Sequence, residues 1–195
     1  MGHAERRTAE HLQMAFAAEC QSRMMFDMAA KTAKKEGFIE VGNVLLLIAQ
    51  QDASHAKNFY RHALKMPSEK VFAPTNLLPS SPTLDILEAG ILLKKHHGET
   101  LYPAWQRAAN DEDLSDVASL YRAIARAELH HAHILEDMAQ TLRRKVVFSR
   151  ETPVLWVCSK CGYVHEGKTA LAKCPGCGHP QDYFEVYRPL GGLPC

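Results

Sequence analysis

The segment VASLYRAIARAELHHAHILEDM, residues 117–138, decides how this chain folds. Its apolar residues recur in alternating steps of four and three, through Val117, Tyr121, Ile124, Leu135, Met138 and on to Leu142, which is the one-sided stripe of an amphipathic helix. Glu128 and His131 stand on that same stripe, so two ionisable side chains face what should be the driest side of the helix. Residues 41–62, VGNVLLLIAQQDASHAKNFYRH, repeat the pattern at a constant offset. Their inward row is Val41, Leu45, Ile48, Asp52, His55, Phe59 and His62: valine falls on Val117, isoleucine on Ile124, Asp52 on Glu128 and His55 on His131. The match predicts an internal duplication of a helical hairpin, in which two copies build one bundle and not a solenoid.

Working outward, the pattern predicts four helices, over Thr8–Lys35 with a stop at Gly37, Ile39–Lys65, Thr83–Ala109 and Leu114–Arg144. The proline-rich stretch from Pro67 to Pro82 is long enough to cross a bundle, whereas Asn110 to Asp113 reads as a short turn. The expected fold class is therefore mainly α, built on a four-helix bundle. The inward row of the first helix is expected to be Leu12, Phe16, Glu19, Arg23 and Phe26, and that of the third Leu87, Gly90, Lys94, His97, Leu101, Ala104 and Ala108. Cys20 is expected to be a small packed side chain, and His62, His96, His130 and His133 to lie at the surface or just behind the site.

Composition limits the function classes. Of 195 residues, 46% are hydrophobic and 23% charged, and 23 Lys plus Arg face 22 Asp plus Glu. A near-neutral chain has no electrostatic footprint for nucleic acid or an anionic membrane, so neither is expected as a partner. The longest apolar run, Val44 to Ala49, is far short of the roughly 20 residues that cross a bilayer. The amphipathic start carries no export-signal pattern, from which a cytoplasmic location is expected.

After Val146 the composition shifts to Val, Phe, Trp, Gly and Pro. Cys158-Ser-Lys-Cys161 and Cys174-Pro-Gly-Cys177 follow, twelve residues apart, each second cysteine preceding a glycine. About forty residues are too few to stand on apolar burial alone, and four thiolates in a tetrahedron around zinc or iron supply the staple. Terminal Cys195 has no obvious role.

The tail, from Trp156 through the two knuckles to Phe184-Glu185, resembles the rubredoxin-like end of rubrerythrins, and Ala15-Phe-Ala-Ala-Glu19, Lys34-Lys-Glu-Gly37, His55-Ala-Lys57 and Tyr102-Pro103 resemble that family's helices. The resemblance covers nearly the whole chain. It implies a ferritin-like four-helix bundle over residues 1–148, a rubredoxin-like four-cysteine domain over 152–195, and iron at both centres, with zinc an alternative at either. It further implies reduction of hydrogen peroxide to water, electrons relayed through the tail iron from an unidentified reductase, and a homodimer or larger homo-oligomer.

A di-iron bundle site takes a Glu from each of two helices and Glu-x-x-His from each of the others. Glu19 and the Glu128–His131 pair fit, and Tyr102 would flank them as a hydrogen-bond donor, giving Glu19, Glu128, His131 and Tyr102 as the expected catalytic set. Asp52-Ala-Ser-His55 departs from the pattern, its carboxylate reaching about 1.5 Å less far than Glu. The third helix departs further. Counting back from Tyr102-Pro103, the family's two glutamates fall on Lys94 and His97. His97 can ligate, so the expected bundle ligands are Glu19, Asp52, His55, His97, Glu128 and His131. Lys94 cannot ligate as an ammonium, and is expected to replace a metal by pairing with Asp52 and Glu128. A slip of one turn, bringing Glu99 inward, is the alternative alignment. The rival functions are a non-catalytic electron carrier or zinc-clipped binding module, and a ferroxidase.

Overall fold

In a computed structural model of the chain, residues 3–66, 71 and 73–187 are described, side chains from residue 7 onward. Cys195 and part of the proline-rich connection lie outside them. Helix α1 (His3–Lys35) pairs with α2 (Ile39–Ala63), and a long connection crosses to α3 (Thr83–Lys95). α3 runs through one π-helical segment, His96–Leu101, into α4 (Tyr102–Asp111), and α5 (Ser115–Arg143) closes a ferritin-like bundle. Among the described residues no helix is long and apolar enough to cross a membrane.

Three helices end in the same way. Beyond α1, Gly37 takes φ +87°, Phe38 N–H donates to the Ala33 carbonyl at 2.9 Å and Gly37 N–H to Lys34 at 3.3 Å. This double closure captures carbonyls that the helix leaves open. Asp113 (φ 58°) and Lys145 (φ 56°) occupy the corresponding left-handed position beyond α4 and α5. There Leu114 N–H reaches Ala109 O at 2.8 Å and Val146 N–H reaches Thr141 O at 3.0 Å.

The start of α3 is held by a residue of another helix end. Glu36 Oε2 accepts from Thr83 N–H at 2.9 Å and from Thr83 Oγ1 at 2.6 Å, and its Oε1 accepts from Ser81 Oγ at 3.1 Å.

The inward rows of α2 and α5 are buried as their periodicity predicts, with His55, His62 and Leu142 only partly covered. Two rows need correction. On α1 the buried stripe is Leu12, Ala15, Glu19, Ser22 and Phe26, whereas Phe16 is 36% exposed and Arg23 is exposed. The alternating steps start with three, so Ala15 and Ser22 face inward in place of Phe16 and Arg23. Cys20 is exposed and not packed. On the third helix Leu87, Gly90, Lys94, His97 and Ala108 are buried as expected and Leu101 partly so, but the stripe also takes in Gly98, Tyr102, Trp105 and Ala109, leaving Ala104 exposed. A π-helical segment closes i to i+5 and rotates everything after it by about one residue. Pro103 provides a cause: it has no N–H, and its ring would press on the carbonyl four residues back in an unbroken α-helix.

The bundle has two apolar clusters. One is built around Phe26, Leu45, Ile48, Leu87 and Leu135, the other around Leu12, Phe59, Tyr102, Trp105 and Tyr121. Buried Glu19, Asp52, Lys94, His97, Glu128 and His131 occupy the helix turns between those two sets of residues.

The tail is a three-stranded antiparallel sheet in the order β2-β1-β3, with β1 at Ser149–Cys158, β2 at Val164–Thr169 and β3 at Phe184–Val186. Fully buried Trp156 anchors it, donating Nε1–H to Gly167 O at 3.0 Å. The 3₁₀ turn Gln181–Tyr183 rests against the α1–α2 corner, with Asp182 close to Gly37.

The Glu36 contact generates a prediction. Although burial alone would raise it, the Glu36 carboxyl is held below its ordinary range by the Thr83 and Ser81 bonds. A group depressed in this way stabilises the fold above its unfolded pKa and loses that contribution as pH falls through the folded value. Glu36→Ala should therefore cost about 1 kcal/mol near neutrality, the size of a lost cap. The difference from the parent should fade in acid, which urea melts at two pH values would measure.

Candidate metal centres

The polar groups of the central layer sit on the inward rows: Glu19 and Ser22 on α1, Asp52 and partly buried His55 on α2, Lys94 on α3, His97 in the π-helical segment, Tyr102 on α4, Glu128 and His131 on α5. Lys94 Nζ is at the middle of the layer. It donates to Asp52 Oδ1 at 2.7 Å and to both Glu128 oxygens at 2.9 Å, and its side chain has no exposure. The Phe26 ring covers it, with the centroid 5.4 Å from Nζ. Asp52 Oδ2 accepts from Ser22 Oγ at 2.6 Å, so the shorter carboxylate is anchored from both sides.

The imidazoles divide into two kinds. His97 Nδ1 is 3.1 Å from Glu128 Oε2 and His131 Nδ1 3.2 Å from Glu128 Oε1, while His131 Nε2 meets Gln51 Oε1 at 2.8 Å. Both of these His131 partners are acceptors, so a neutral His131 donates its single N–H to one and turns a lone pair toward the other. His55 Nδ1 has no hydrogen-bond partner, although Glu19 Oε2 lies 3.4 Å and Glu128 Oε1 3.6 Å away, and Glu19 Oε2 lacks a partner too. Tyr102 OH donates to the other Glu19 oxygen, Oε1. Exposed Glu99 takes no part, which removes the slipped alignment. His96, His130 and His133 are exposed and His62 partly so, away from this layer.

Electrostatics follow the contacts. Burial and the Glu128 charge push the Glu19 carboxyl up. Burial works against Glu128 ionising, but the Lys94 ammonium and the surrounding imidazoles hold its carboxyl well below the ordinary range. Burial would lower His55, yet the Glu128 and Glu19 carboxylates push it up to about 9. Burial dominates at His131 and lowers it, and at Tyr102 burial and the Glu19 charge raise the phenol well above its ordinary value.

Glu19, Asp52, His55 and Glu128 each offer one ligand atom within 4.8 Å of the others. Glu19 Oε2 and His55 Nδ1, buried and 3.4 Å apart, make an ion-pair contact without hydrogen-bond geometry and so keep bonding capacity that a further group could use. Three carboxylates and an imidazole suit a first-row divalent cation. A cavity of about 340 Å³ reaches this layer through His97, its wall formed by Met14, Met25, Leu93, Leu101 and Trp105.

The second centre is in the tail. Cys158 and Cys177 Sγ are 3.7 Å apart, Cys161 and Cys174 3.6 Å, and all four sulfurs converge within 4.8 Å. A tetrahedron with metal–sulfur bonds of about 2.3 Å has edges of about 3.8 Å, so the sulfurs already stand close to coordination distance. Gly162 (φ 78°) and Gly178 (φ 75°) turn the two knuckles. Burial opposes it, but the Cys177 and Gly176 amides bring Cys174 down to about 7.

Two family models match the chain: "Rubrerythrin, rubredoxin-like domain" over residues 156–185 and "Rubrerythrin" over residues 10–77. A rubrerythrin of Clostridium perfringens is 35% identical over 185 residues, 93% of this chain and 95% of that one. The chain belongs to the rubrerythrin family. Rubrerythrins are non-haem iron oxidoreductases, and this member also resembles the rubrerythrin of Nitratidesulfovibrio vulgaris, at 34% identity over 92% of this chain and 94% of that one. Its fold matches solved structures of nigerythrin in its partially reduced state, with TM-score 0.63 and 24% identity over 92% of this chain and 86% of that one. It also matches a Desulfovibrio desulfuricans bacterioferritin, with TM-score 0.64 and 16% identity over 74% of this chain and 86% of that one.

Sequence reasoning missed Ser22, Gln51 and the π-helical segment. Ser22 lies three residues after Glu19, a signal obscured by the choice of Arg23 for the stripe. The π-helical segment generates a prediction. A Cβ on Gly98 would lie 2.7 Å from Leu129 Cγ and 2.9 Å from the Ala125 carbonyl, a backbone atom that cannot step aside. Gly98→Ala should therefore cost about 1–3 kcal/mol by overpacking. Its thermal midpoint should drop below that of an exposed control such as Ala104→Gly.

Proposed function

We propose that this rubrerythrin-family protein is a peroxidase that reduces hydrogen peroxide to water with electrons relayed through iron held by Cys158, Cys161, Cys174 and Cys177. One observation carries the reading: a single chain combines a four-sulfur cluster at tetrahedral spacing with a buried carboxylate–imidazole cluster that a cavity reaches. Hydrogen peroxide plus two protons and two electrons gives two water molecules, so electron entry and a proton-bearing site must coexist. Bound iron would supply electrons one at a time and a Lewis-acidic surface for the oxidant.

The protein's own groups do the rest. Glu19, Asp52, His55 and Glu128 form the bundle's ligand set, with His97 and His131 bonded to Glu128 behind them. Tyr102 fixes Glu19 Oε1 through its hydroxyl, leaving Oε2 free to ligate. His97 commits Nδ1 to Glu128 and lines the cavity, so its Nε2 is the atom available for proton exchange with an entering molecule. The largely apolar wall admits a small neutral oxidant and disfavours ions.

The tail touches its own bundle at the α1–α2 corner, and Asp52 is roughly 20 Å along α2 from there at 1.5 Å per residue. That separation favours delivery from the tail of a second copy, consistent with a homodimer or larger assembly working with an external reductase. The same four sulfurs would accept zinc equally well. A zinc-filled tail would make the protein a clipped binding module in place of an electron relay.

Peroxide consumption by the reduced, iron-loaded protein tests the reading. Glu128→Ala should lower the rate by about 100-fold or more, since even changes behind a metal's direct ligands cost about 10–100-fold. Cys158→Ser should abolish reductase-dependent turnover while leaving the bundle folded. Equal rates in all three proteins would reject peroxidase function.

A further inference from the structure

We infer that the Lys94 ammonium is a permanent stand-in for one cation of a metal pair, so that the helical centre takes a single divalent ion on Glu19, Asp52, His55 and Glu128. This deepens the reading above and rests on the bundle binding a metal at all.

Position is the first argument. Nζ bonds Asp52 Oδ1 at 2.7 Å and both Glu128 oxygens at 2.9 Å, so it fills the point between two carboxylates from opposite helices that a bridged ion would need. The side chain has no exposure and lies under the Phe26 ring, so the ammonium is enclosed where it stands. Sharing two of those oxygens, His55 Nδ1 faces Glu19 Oε2 at 3.4 Å, Glu128 Oε1 at 3.6 Å and Asp52 Oδ1 at 3.9 Å. Ligand atoms about 2.1 Å from a tetrahedral ion stand about 3.4 Å apart, so these four frame one cation. A carboxylate oxygen has two lone pairs, so Asp52 Oδ1, which accepts from Lys94, keeps one for the metal, and Glu128 Oε1 keeps one when His131 spends its single N–H on Gln51.

The ring nitrogens give the second argument. Within this layer His55 Nδ1 is a buried imidazole nitrogen outside hydrogen-bond geometry, and it stands at the framed position. His131, its counterpart on α5, stands with Nδ1 3.2 Å from Glu128 Oε1 and 3.6 Å from Asp52 Oδ1, the two oxygens that Lys94 Nζ already bonds, so a second ion beside it would have to displace the ammonium.

Charge is the third. Glu19, Asp52 and Glu128 bring three negative charges and Lys94 one positive, which leaves two for one divalent ion to neutralise. A second divalent ion would leave a double positive charge among apolar clusters, where uncompensated charge is strongly disfavoured. Lys94→Glu reverses the balance: four carboxylates then match two divalent ions.

The test loads metal-free full-length protein with ferrous iron under anaerobic conditions and counts iron per chain after gel filtration. The parent should hold two irons, one in the tail and one in the bundle. Lys94→Glu should hold three, and on partial oxidation it alone should give the EPR signal of a mixed-valence coupled pair. Three irons or a coupled-pair signal in the parent would overturn the inference while leaving an iron-based function in place. One iron confined to the tail would overturn both. A folded Lys94→Glu variant that stays at two irons would also overturn the inference, and if that variant fails to fold, the count and EPR spectrum of the parent decide by themselves.

Discussion

The triangle of Lys94, Asp52 and Glu128 is the contact that the bundle's interior depends on. An ammonium and two carboxylates with no solvent are tolerated only when each is answered, and removing one partner from such a buried group costs about 3–5 kcal/mol. The structure supplies the answers from separate helices. α1 contributes Ser22 to the spare oxygen of Asp52, α2 places Gln51 on His131, and the π-helical segment sets His97 against Glu128. The polar layer therefore fixes the relative positions of all the bundle helices, while the apolar clusters on either side supply most of the burial.

The layer is polarised. On the Lys94 side every donor and acceptor is matched and Glu128 is held firmly ionised. Glu19 Oε2 and His55 Nδ1 meet only at 3.4 Å, an ion-pair contact that lacks hydrogen-bond geometry. Such an asymmetry makes little sense for a merely structural ion-pair network, in which unmatched buried atoms only cost stability. It makes sense where one half has been filled by a side chain and the other is kept for a ligand.

The tail solves a different problem by different means. Its small core around Trp156 and Phe184 cannot hold the fold alone, and the knuckle glycines bring four sulfurs to coordination distance. It rests on the α1–α2 corner, next to the Gly37 turn that ends α1, so one local backbone reversal both closes a helix and receives the tail.

Much of this was legible in the sequence. The doubled stripe of residues 41–62 and 117–138 fixed two helices and their inward faces, because helical periodicity is local and both stripes are unbroken. Donor types and cysteine spacing revealed two metal centres for the same reason: a step of three or a Cys-x-x-Cys loop sets geometry within a few residues. Counting from Tyr102-Pro103 placed Lys94 and His97 inside. It could not foresee the π-helical segment, whose added residue turned Trp105 inward and Ala104 outward after His97. The choice between Phe16 and Ala15, or Arg23 and Ser22, was equally out of reach, since two stripes one residue apart differ only in what the neighbouring helix presents. The tertiary structure alone decided that Nζ stops between Asp52 and Glu128 and that Gln51 takes His131 while His55 meets its carboxylates only at ion-pair distance. Those outcomes belong to the meeting of separate helices, and no local spacing encodes where their side-chain ends converge.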